Sequence, residues 1–447
     1  MAIATSSLQL LLQGTPFVSY TYSYPHKTAY RAFQQPIPFA DLWAQERRDA
    51  LFLYFHVPFC EMRCGFCNLF TMVNHESNME MAYLDAVKRE VERTRLALGD
   101  AHFARMAIGG GTPTYLSIDG LALLIDLAEQ TMGAELQHIP VSVETSPLTA
   151  EPEKLALLRE RGVNRISIGV QSFDEDEVRA VGRTQKASHV DQALKAIRHA
   201  KFPTLNIDLI YGLPGQTVES WLDSICAALA YAPEELYLYP LYARPLTGLD
   251  KMGLITDRAF DDLRLACYHA AREILLAAGY TQVTMRMFRA PHASTVDGPV
   301  YCVQDDGMVS LGCGARSYTR THHYSSEYAV SSRGVRAILA DYMKRDSSDF
   351  DYAWYGIELN PDEQRRRYII KSILEADGLN FNAYERRFGT DPWSDIPQLE
   401  ELITWKLATV ENDVLRLNET GLERSDTIGP WLYSDEIQAR MESYNLQ

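Results

Sequence analysis

From residue 51 to about 290 the sequence repeats one unit, a short β-rich apolar run followed by a helix-like segment. The runs fall at 51–57, 106–108, 141–143, 166–170, 207–211 and 236–239. Helix-like segments occupy 81–98, 118–131, 152–161, 174–181, 189–200 and 217–231. Alternation of this kind admits few folds. Consecutive strands must run parallel through right-handed crossovers, and six such units suffice to curl a sheet into a barrel or partial barrel. The strands end on polar or glycine-rich motifs: Pro58-Phe59-Cys60, Gly109-Gly110-Gly111-Thr112-Pro113, Glu144-Thr145-Ser146-Pro147, Gln171-Ser172 and Gly212-Leu213-Pro214-Gly215. Chemistry gathered at the carboxyl ends of successive strands marks that face as the active site.

The flanks read differently. Residues 300–345 are rich in glycine and tyrosine and give no clear secondary structure. Beyond Asn360 helices are expected at 361–376, 382–388 and 396–410, with a hairpin over 414–422. Three helices and a hairpin suggest a small winged-helix-like unit. Its many Asp and Glu residues argue for an accessory lid or substrate domain rather than a DNA reader. The expected organisation is an N-terminal arm (1–50), a barrel (51–300), a connecting segment near its mouth (301–345) and an accessory domain (346–447).

The net charge of −16 argues against nucleic acid as the main partner, while leaving room for a local basic pocket that takes an anionic small molecule. No stretch approaches the ~18 apolar residues of a membrane span. The apolar run Leu8–Leu12 lacks the flanks of a signal peptide, so a cytoplasmic protein is expected.

Three of the seven cysteines lie in Cys60-Glu61-Met62-Arg63-Cys64-Gly65-Phe66-Cys67, a C-x3-C-x2-C spacing. Thiolates are the soft ligands of iron–sulfur clusters, which usually take four. Three would leave one iron open to bind a substrate directly. The alternative is a Cys3His zinc site completed by His56 or His75. Cys226, Cys267, Cys302 and Cys313 sit in apolar contexts and are expected to be buried. The glycine run at 109–111 lacks the Lys-Ser/Thr of a phosphate loop, and lets backbone N–H groups approach a ligand unless it is simply a strand-to-helix turn. Glu144 ends an apolar strand, as a helix cap or as an acceptor for a ligand hydroxyl or ammonium. Asp208 lies inside a strand and must have a partner.

The cysteine spacing at the end of the first strand, preceded by Tyr54-Phe55-His56-Val57-Pro58-Phe59, resembles the radical S-adenosylmethionine (SAM) superfamily, and within it the oxygen-independent coproporphyrinogen III oxidases. The resemblance covers roughly residues 50–425. It implies a [4Fe–4S] cluster on Cys60, Cys64 and Cys67, whose open iron chelates SAM and whose electron yields a 5′-deoxyadenosyl radical. It further implies that Gly110, Gly111 and Thr112 contact the methionyl end of SAM and that Glu144 binds SAM. Asp208 would pair with Arg183 or with a SAM hydroxyl or ammonium. Gln171 and Arg183 match contacts to a second SAM, and Tyr54, Phe66 and Ala243 fall where that family holds its SAM pair.

Those oxidases carry a fourth cysteine two residues beyond the third, where this chain reads Cys67-Asn68-Leu69-Phe70-Thr71. Related haem chaperones also lack it. The Asn-Leu-Phe-Thr ending and the segment Tyr24-Pro25-His26-Lys27-Thr28-Ala29-Tyr30-Arg31 look most like the class C radical SAM methylases. That resemblance implies two SAM molecules, one supplying a methylene to an sp2 carbon of an aromatic natural product, giving methylation or cyclopropanation. The implied partners are a small-molecule substrate, a flavodoxin- or ferredoxin-type electron donor and a partner methyltransferase. Alternatives are a coproporphyrinogen oxidase-like or haem-degrading enzyme and a haem chaperone. His26, His56 and Tyr242 are conceivable bases, each with a structural role as the competing reading. The stretches 285–289 and 305–314 either line the substrate mouth or form a packed strand and turn, with Arg286 and Arg289 on a solvated face.

Overall fold

The structure, a computed structural model, describes residues 8–73, 78–254, 256–294 and 307–446. Its centre is a parallel sheet of β2 (Leu51–Val57), β3 (Phe103–Gly110), β4 (Val141–Thr145), β5 (Arg165–Gln171), β6 (Thr204–Tyr211) and β7 (Glu235–Pro240), paired in that order. The crossovers include α1 (Met79–Leu98), α2 (Ile118–Asp126), α3 (Pro152–Glu160), α4 (Ala187–His199) and α5 (Val218–Leu229). This is the expected α/β fold, a partial barrel with an N-terminal arm and a C-terminal helical domain.

The two-residue period of the strands decides what each face carries. Leu53, Phe55, Met106, Ile108, Val141, Val143, Ile166, Ile168, Leu205, Ile207, Leu236 and Leu238 form one buried core with the helices outside. In α1 the residues that meet it are Tyr83, Leu84, Val87, Val91 and Leu98, at helical spacing. The alternate residues face the lumen. Register places Tyr54 beside Ala107, Ala107 beside Ser142, Glu144 beside Ser167 and Asp208 beside Tyr237. The lumen is therefore polar and aromatic, floored by Phe52, Ala107, Met308 and Tyr318.

The stretch without a sequence assignment completes the sheet. β10 (Met308–Leu311) runs parallel to β2, with Ser310 opposite Tyr54. Beyond it β11 (Arg316–Tyr318), β12 (His322–Ser325), β13 (Tyr352–Glu358) and β1 (Arg31–Pro38) continue antiparallel to the edge. At the other edge β8 (Thr281–Gln282) and β9 (Met287–Arg289) pair antiparallel beside β7. The 285–289 stretch is thus a packed strand and turn in which Arg289 is half-buried and Arg286 is not on a solvated face. Arg286 is buried, with its guanidinium 2.6 Å from Asp426 of the C-terminal domain. Asp305, Asp306, Cys302 and His75 lie outside the described residues.

The C-terminal domain holds α6 (Pro361–Ile373), α7 (Phe381–Phe388) and a hairpin, β15 (Ala408–Glu411) with β16 (Val414–Leu417), to which β14 (Leu379–Asn380) adds a third strand. The expected helix over 396–410 is cut short. A helix ends at Thr404, Lys406 takes φ +56°, and Ala408 onward is already strand. The hairpin turns at Asn412-Asp413, φ +52° and +60°, the left-handed pair that a two-residue hairpin turn requires. Cys267 and Cys313 are buried, as expected, but Cys226 is exposed on the outer face of α5. No helix among the described residues is long and apolar enough to cross a membrane.

Candidate functional site

The cysteine loop leaves β2 at the carboxyl end of the barrel and is stitched to its neighbours by backbone bonds. Cys60 N donates to Met72 O (3.0 Å), Gly65 N to Val181 O (2.7 Å), Leu249 N to Gly65 O (2.8 Å) and Cys67 N to Cys64 O (3.1 Å). A Cβ on Gly111 would lie 2.5 Å from Phe59 O and 2.8 Å from Cys60 Sγ, so only glycine lets β3's end pass this loop. Each thiol has a polar neighbour. Thr112 Oγ1 donates to Cys60 Sγ (3.5 Å), Arg183 to Cys64 Sγ (3.2 Å), and Thr71 Oγ1 lies 3.9 Å from Cys67 Sγ.

Burial pushes the Cys60 thiol up to about 12, with the other cysteines and Glu61 adding to the rise. Burial raises Cys64 too, against the pull of Arg183. Loading a metal must therefore displace protons. The described residues hold no group of three His, Cys, Asp or Glu placed around a single metal ion. The three thiols fit a cluster, whose separate irons spread their ligands, and a cradle that one Cβ would fill adjoins them. His56 is engaged on both ring nitrogens, with Tyr54 OH (3.3 Å) and Phe70 O (3.2 Å). Burial holds its pKa near 4.

Beside the loop the lumen carries the acids. Glu144 faces open space but is walled in by the barrel, and accepts a hydrogen bond from Gly110 N (3.0 Å). This seclusion, with Asp208 nearby, raises its pKa to about 7. Asp208 does not pair with Arg183, and the charge of Arg165 acts on it against the effect of burial. It accepts from Asn206 Nδ2 (2.8 Å) and Ser167 Oγ (3.3 Å), and burial raises it to about 6. Gln171, at φ +71°, follows a bulge in β5 and folds over Gly169. Phe66 packs on Val181, Ile210, Leu213, Leu241 and Leu249. Ala243 lies half-buried between Tyr242 and Arg244 in the loop after β7. Tyr54, the glycines, Thr112, Glu144, Gln171, Arg183 and Asp208 thus share the carboxyl face of the barrel with the three cysteines, and Phe66 and Ala243 sit at its rim.

The N-terminal arm covers that face and brings together groups that the sequence does not link. Tyr20 packs edge-on to Tyr22 (5.5 Å) and Tyr239 (6.1 Å), and Tyr22 on His26 (5.6 Å). Lys27 is buried with Nζ 3.7 Å from the Tyr328 ring centre. Arg316 lies over Tyr22 (5.0 Å) and donates to its hydroxyl (3.2 Å). Arg244 lies over Tyr242 (4.6 Å). None of these three cations has a carboxylate partner among the described residues, yet they sense one another. Burial, then Arg316 and Arg244, push the Lys27 pKa well down, and Cys67 pulls the other way. Burial, then Lys27 and the two arginines, push His26 down. Two arginines and a lysine whose charge they suppress, gathered at one mouth, call for an anion. Lys27 and Arg316 are 289 positions apart, and nothing in the linear pattern links them. Tyr242 is held by Arg286 (2.5 Å) and Asp426, a structural role.

A model of the Radical SAM superfamily matches residues 54–225. An oxygen-independent coproporphyrinogen III oxidase of Pseudomonas aeruginosa is 30% identical over 396 residues, 83% of this chain and 84% of its own length. That of Paracoccus denitrificans is 33% identical over 390 residues, 83% and 82% of the two chains. The haem chaperone HemW of Bacillus subtilis is 36% identical over 194 residues, 43% of this chain and 51% of its own. The solved coproporphyrinogen III oxidase of Escherichia coli superposes with TM-score 0.79 at 24% identity, covering 92% of this chain and 96% of that one. These relatives overturn the expected class C methylase or cyclopropanase, and with it the natural-product substrate. The 24–31 segment has a structural reason for its composition. It is a strap to the C-terminal domain, where Tyr24 O accepts from Arg367 (2.7 Å) and Ala29 O from Arg440 (3.1 Å), and so says nothing of methyl transfer.

Proposed function

Because the chain belongs to the radical SAM superfamily, in its coproporphyrinogen III oxidase-like branch, we propose that it oxidises a tetrapyrrole bearing carboxylate side chains, with coproporphyrinogen III the first substrate to test. The observation that carries this reading is the trio Lys27, Arg244 and Arg316, which has no carboxylate partner among the described residues and is set among tyrosine rings beside the cysteine loop. The cations would take propionate groups and the rings would lie against the flat pyrroles.

A [4Fe–4S] cluster and SAM are the cofactors of this family, and together they supply a 5′-deoxyadenosyl radical. Cys60, Cys64 and Cys67 would hold the cluster, reduced by an external one-electron donor of flavodoxin or ferredoxin type. Gly110, Gly111 and Thr112 would receive the methionyl end of SAM, and Glu144 and Asp208 its hydroxyl or ammonium groups. Tyr54, Phe66, Gln171 and Ala243 would line the remaining space. The arm, closing over the barrel mouth, keeps water from the radical.

A second reading, a haem chaperone, is favoured by Asn68-Leu69 where the oxidases have their fourth cysteine. Binding separates them. The tetracarboxylic coproporphyrin should bind at least tenfold tighter than its tetramethyl ester, and bound coproporphyrinogen should be consumed with SAM cleavage. Equal binding of acid and ester would sink the cation argument. Tight haem binding without SAM cleavage on any porphyrinogen would select the chaperone.

A further inference from the structure

Arg183 makes a contact that sequence resemblance did not suggest. Its side chain is 7% exposed, and its fork is fully directed. One terminal nitrogen donates to Cys64 Sγ (3.2 Å), the other to Gly169 O (2.7 Å), and Nε to Gln185 Oε1 (3.0 Å). Gln185 is itself fixed, donating to Val170 O (2.6 Å) and Ser172 O (3.3 Å). No carboxylate pairs with Arg183 among the described residues, so the nearest group able to carry a compensating negative charge is the Cys64 sulfur. An enclosed, uncompensated cation is costly, and this one is held in place by carbonyl oxygens that cannot neutralise it. Among the described residues the other two cysteines have hydroxyls, Thr112 and Thr71, as their hydrogen-bond neighbours, and Lys27 acts on Cys67 through its charge alone, without a hydrogen bond to the sulfur. The three sulfurs are therefore electrostatically unequal.

We propose that Arg183 is a positioning residue for the cluster: its guanidinium fixes the Cys64 sulfur toward the end of β5 and raises the reduction potential of the bound cluster. Reduction adds one negative charge to a cluster already carrying thiolates. A fixed cation hydrogen-bonded to one of them favours the reduced form, since hydrogen bonds and charge at the sulfurs are what set such potentials. Arginine suits the place because its planar fork reaches sulfur, carbonyl and amide at once, which an ammonium cannot do. The role concerns this chain's grip on the cluster and stands whichever tetrapyrrole is the substrate.

The test is the midpoint potential of the anaerobically reconstituted full chain without SAM, read by EPR in R183Q and R183K. At a fixed poise, R183Q should hold about tenfold less reduced cluster than the native chain, a midpoint about 59 mV lower. R183K, which keeps the charge but loses the fork, should fall between. An exchangeable-proton coupling at the reduced cluster, lost in D2O, should be present in the native chain and weaker in both variants. If R183Q fails to take up a cluster, R183K and the native proton coupling still decide. Unchanged midpoints, or an unchanged proton coupling in R183K with its native potential, would overturn the proposal.

Discussion

Breaking the buried pair Arg286–Asp426 should cost more than any exposed ion pair in the molecule. The two side chains are 4% and 1% exposed, with both carboxylate oxygens 2.6 Å from one guanidinium nitrogen. Arg286 also donates to Tyr242 OH (2.5 Å) and lies 3.9 Å from the Tyr20 ring centre. One knot thus ties the N-terminal arm, the β7–β9 edge of the barrel and the C-terminal domain. Replacing Arg286 by Met leaves a buried carboxylate with only the Tyr242 hydroxyl, and replacing Asp426 by Leu leaves a buried cation. Each single change should cost about 3–5 kcal/mol, a large share of a typical total of about 5–15. The double variant R286M/D426L has no orphaned charge, so its cost should fall at least ~2 kcal/mol short of the sum of the singles. The assay is urea unfolding of the reduced apo chain, followed by tryptophan fluorescence. Single costs under ~1 kcal/mol, or a double equal to the sum within ~0.5, would refute the reasoning.

Further outcomes are expected at three residues. Glu144, with its pKa raised to about 7, must ionise to bind a cationic ligand, so SAM should bind the loaded protein roughly tenfold tighter at pH 8 than at pH 6, with proton release; calorimetry should find the dependence gone in E144Q. The same raised pKa means this carboxyl's stabilising contribution is full below its ordinary 4.5 and is lost as pH rises toward 7, so E144Q should unfold at higher urea than the native chain at pH 8. G111A should lose bound iron and sulfide, because its Cβ would meet the Phe59 carbonyl at 2.5 Å and Cys60 Sγ at 2.8 Å. K27M should weaken coproporphyrin binding about 10–100-fold while leaving SAM binding unchanged, as the loss of one charge-assisted bond would do; native binding should take up a proton and weaken at alkaline pH, because burial and the two arginines hold Lys27 low when the site lacks an anion.

Much of the barrel is legible in the sequence because its parallel strands are buried on one face by a strict period of two, and because each ends on a chemically conspicuous motif. Cys60, Glu144 and Asp208 could be read as neighbours from topology alone. The region from 308 to 325 could not, since Met308–Leu311, Arg316–Tyr318 and His322–Ser325 are three or four residues long and the first pairs with β2, far back in the chain. Periodicity carries no signal over so few residues. The hairpin was displaced for a similar reason: its Asn412-Asp413 turn lies between strands of four residues that scan as the tail of a helix. Asp208's partners, Asn206 and Ser167, are explained by lumen geometry, which gives polar neighbours to a residue that looks isolated in its own strand. The cation trio was invisible because Lys27 comes from the arm, Arg244 from the loop after β7 and Arg316 from β11. Residues 24–31 do not report the branch within the family: their backbone ties the arm to the C-terminal domain through the Tyr24 and Ala29 carbonyls, and Lys27 turns inward to the mouth.

The central claim is a radical reaction on a carboxylate-bearing tetrapyrrole, and isotope transfer tests it most directly. The anaerobically reconstituted chain should be given SAM, a low-potential reductant and coproporphyrinogen III deuterated along its propionate side chains. Deuterium appearing in 5′-deoxyadenosine in step with substrate loss is the predicted result. Cleavage of SAM with no deuterium transferred and the porphyrinogen recovered intact would contradict it.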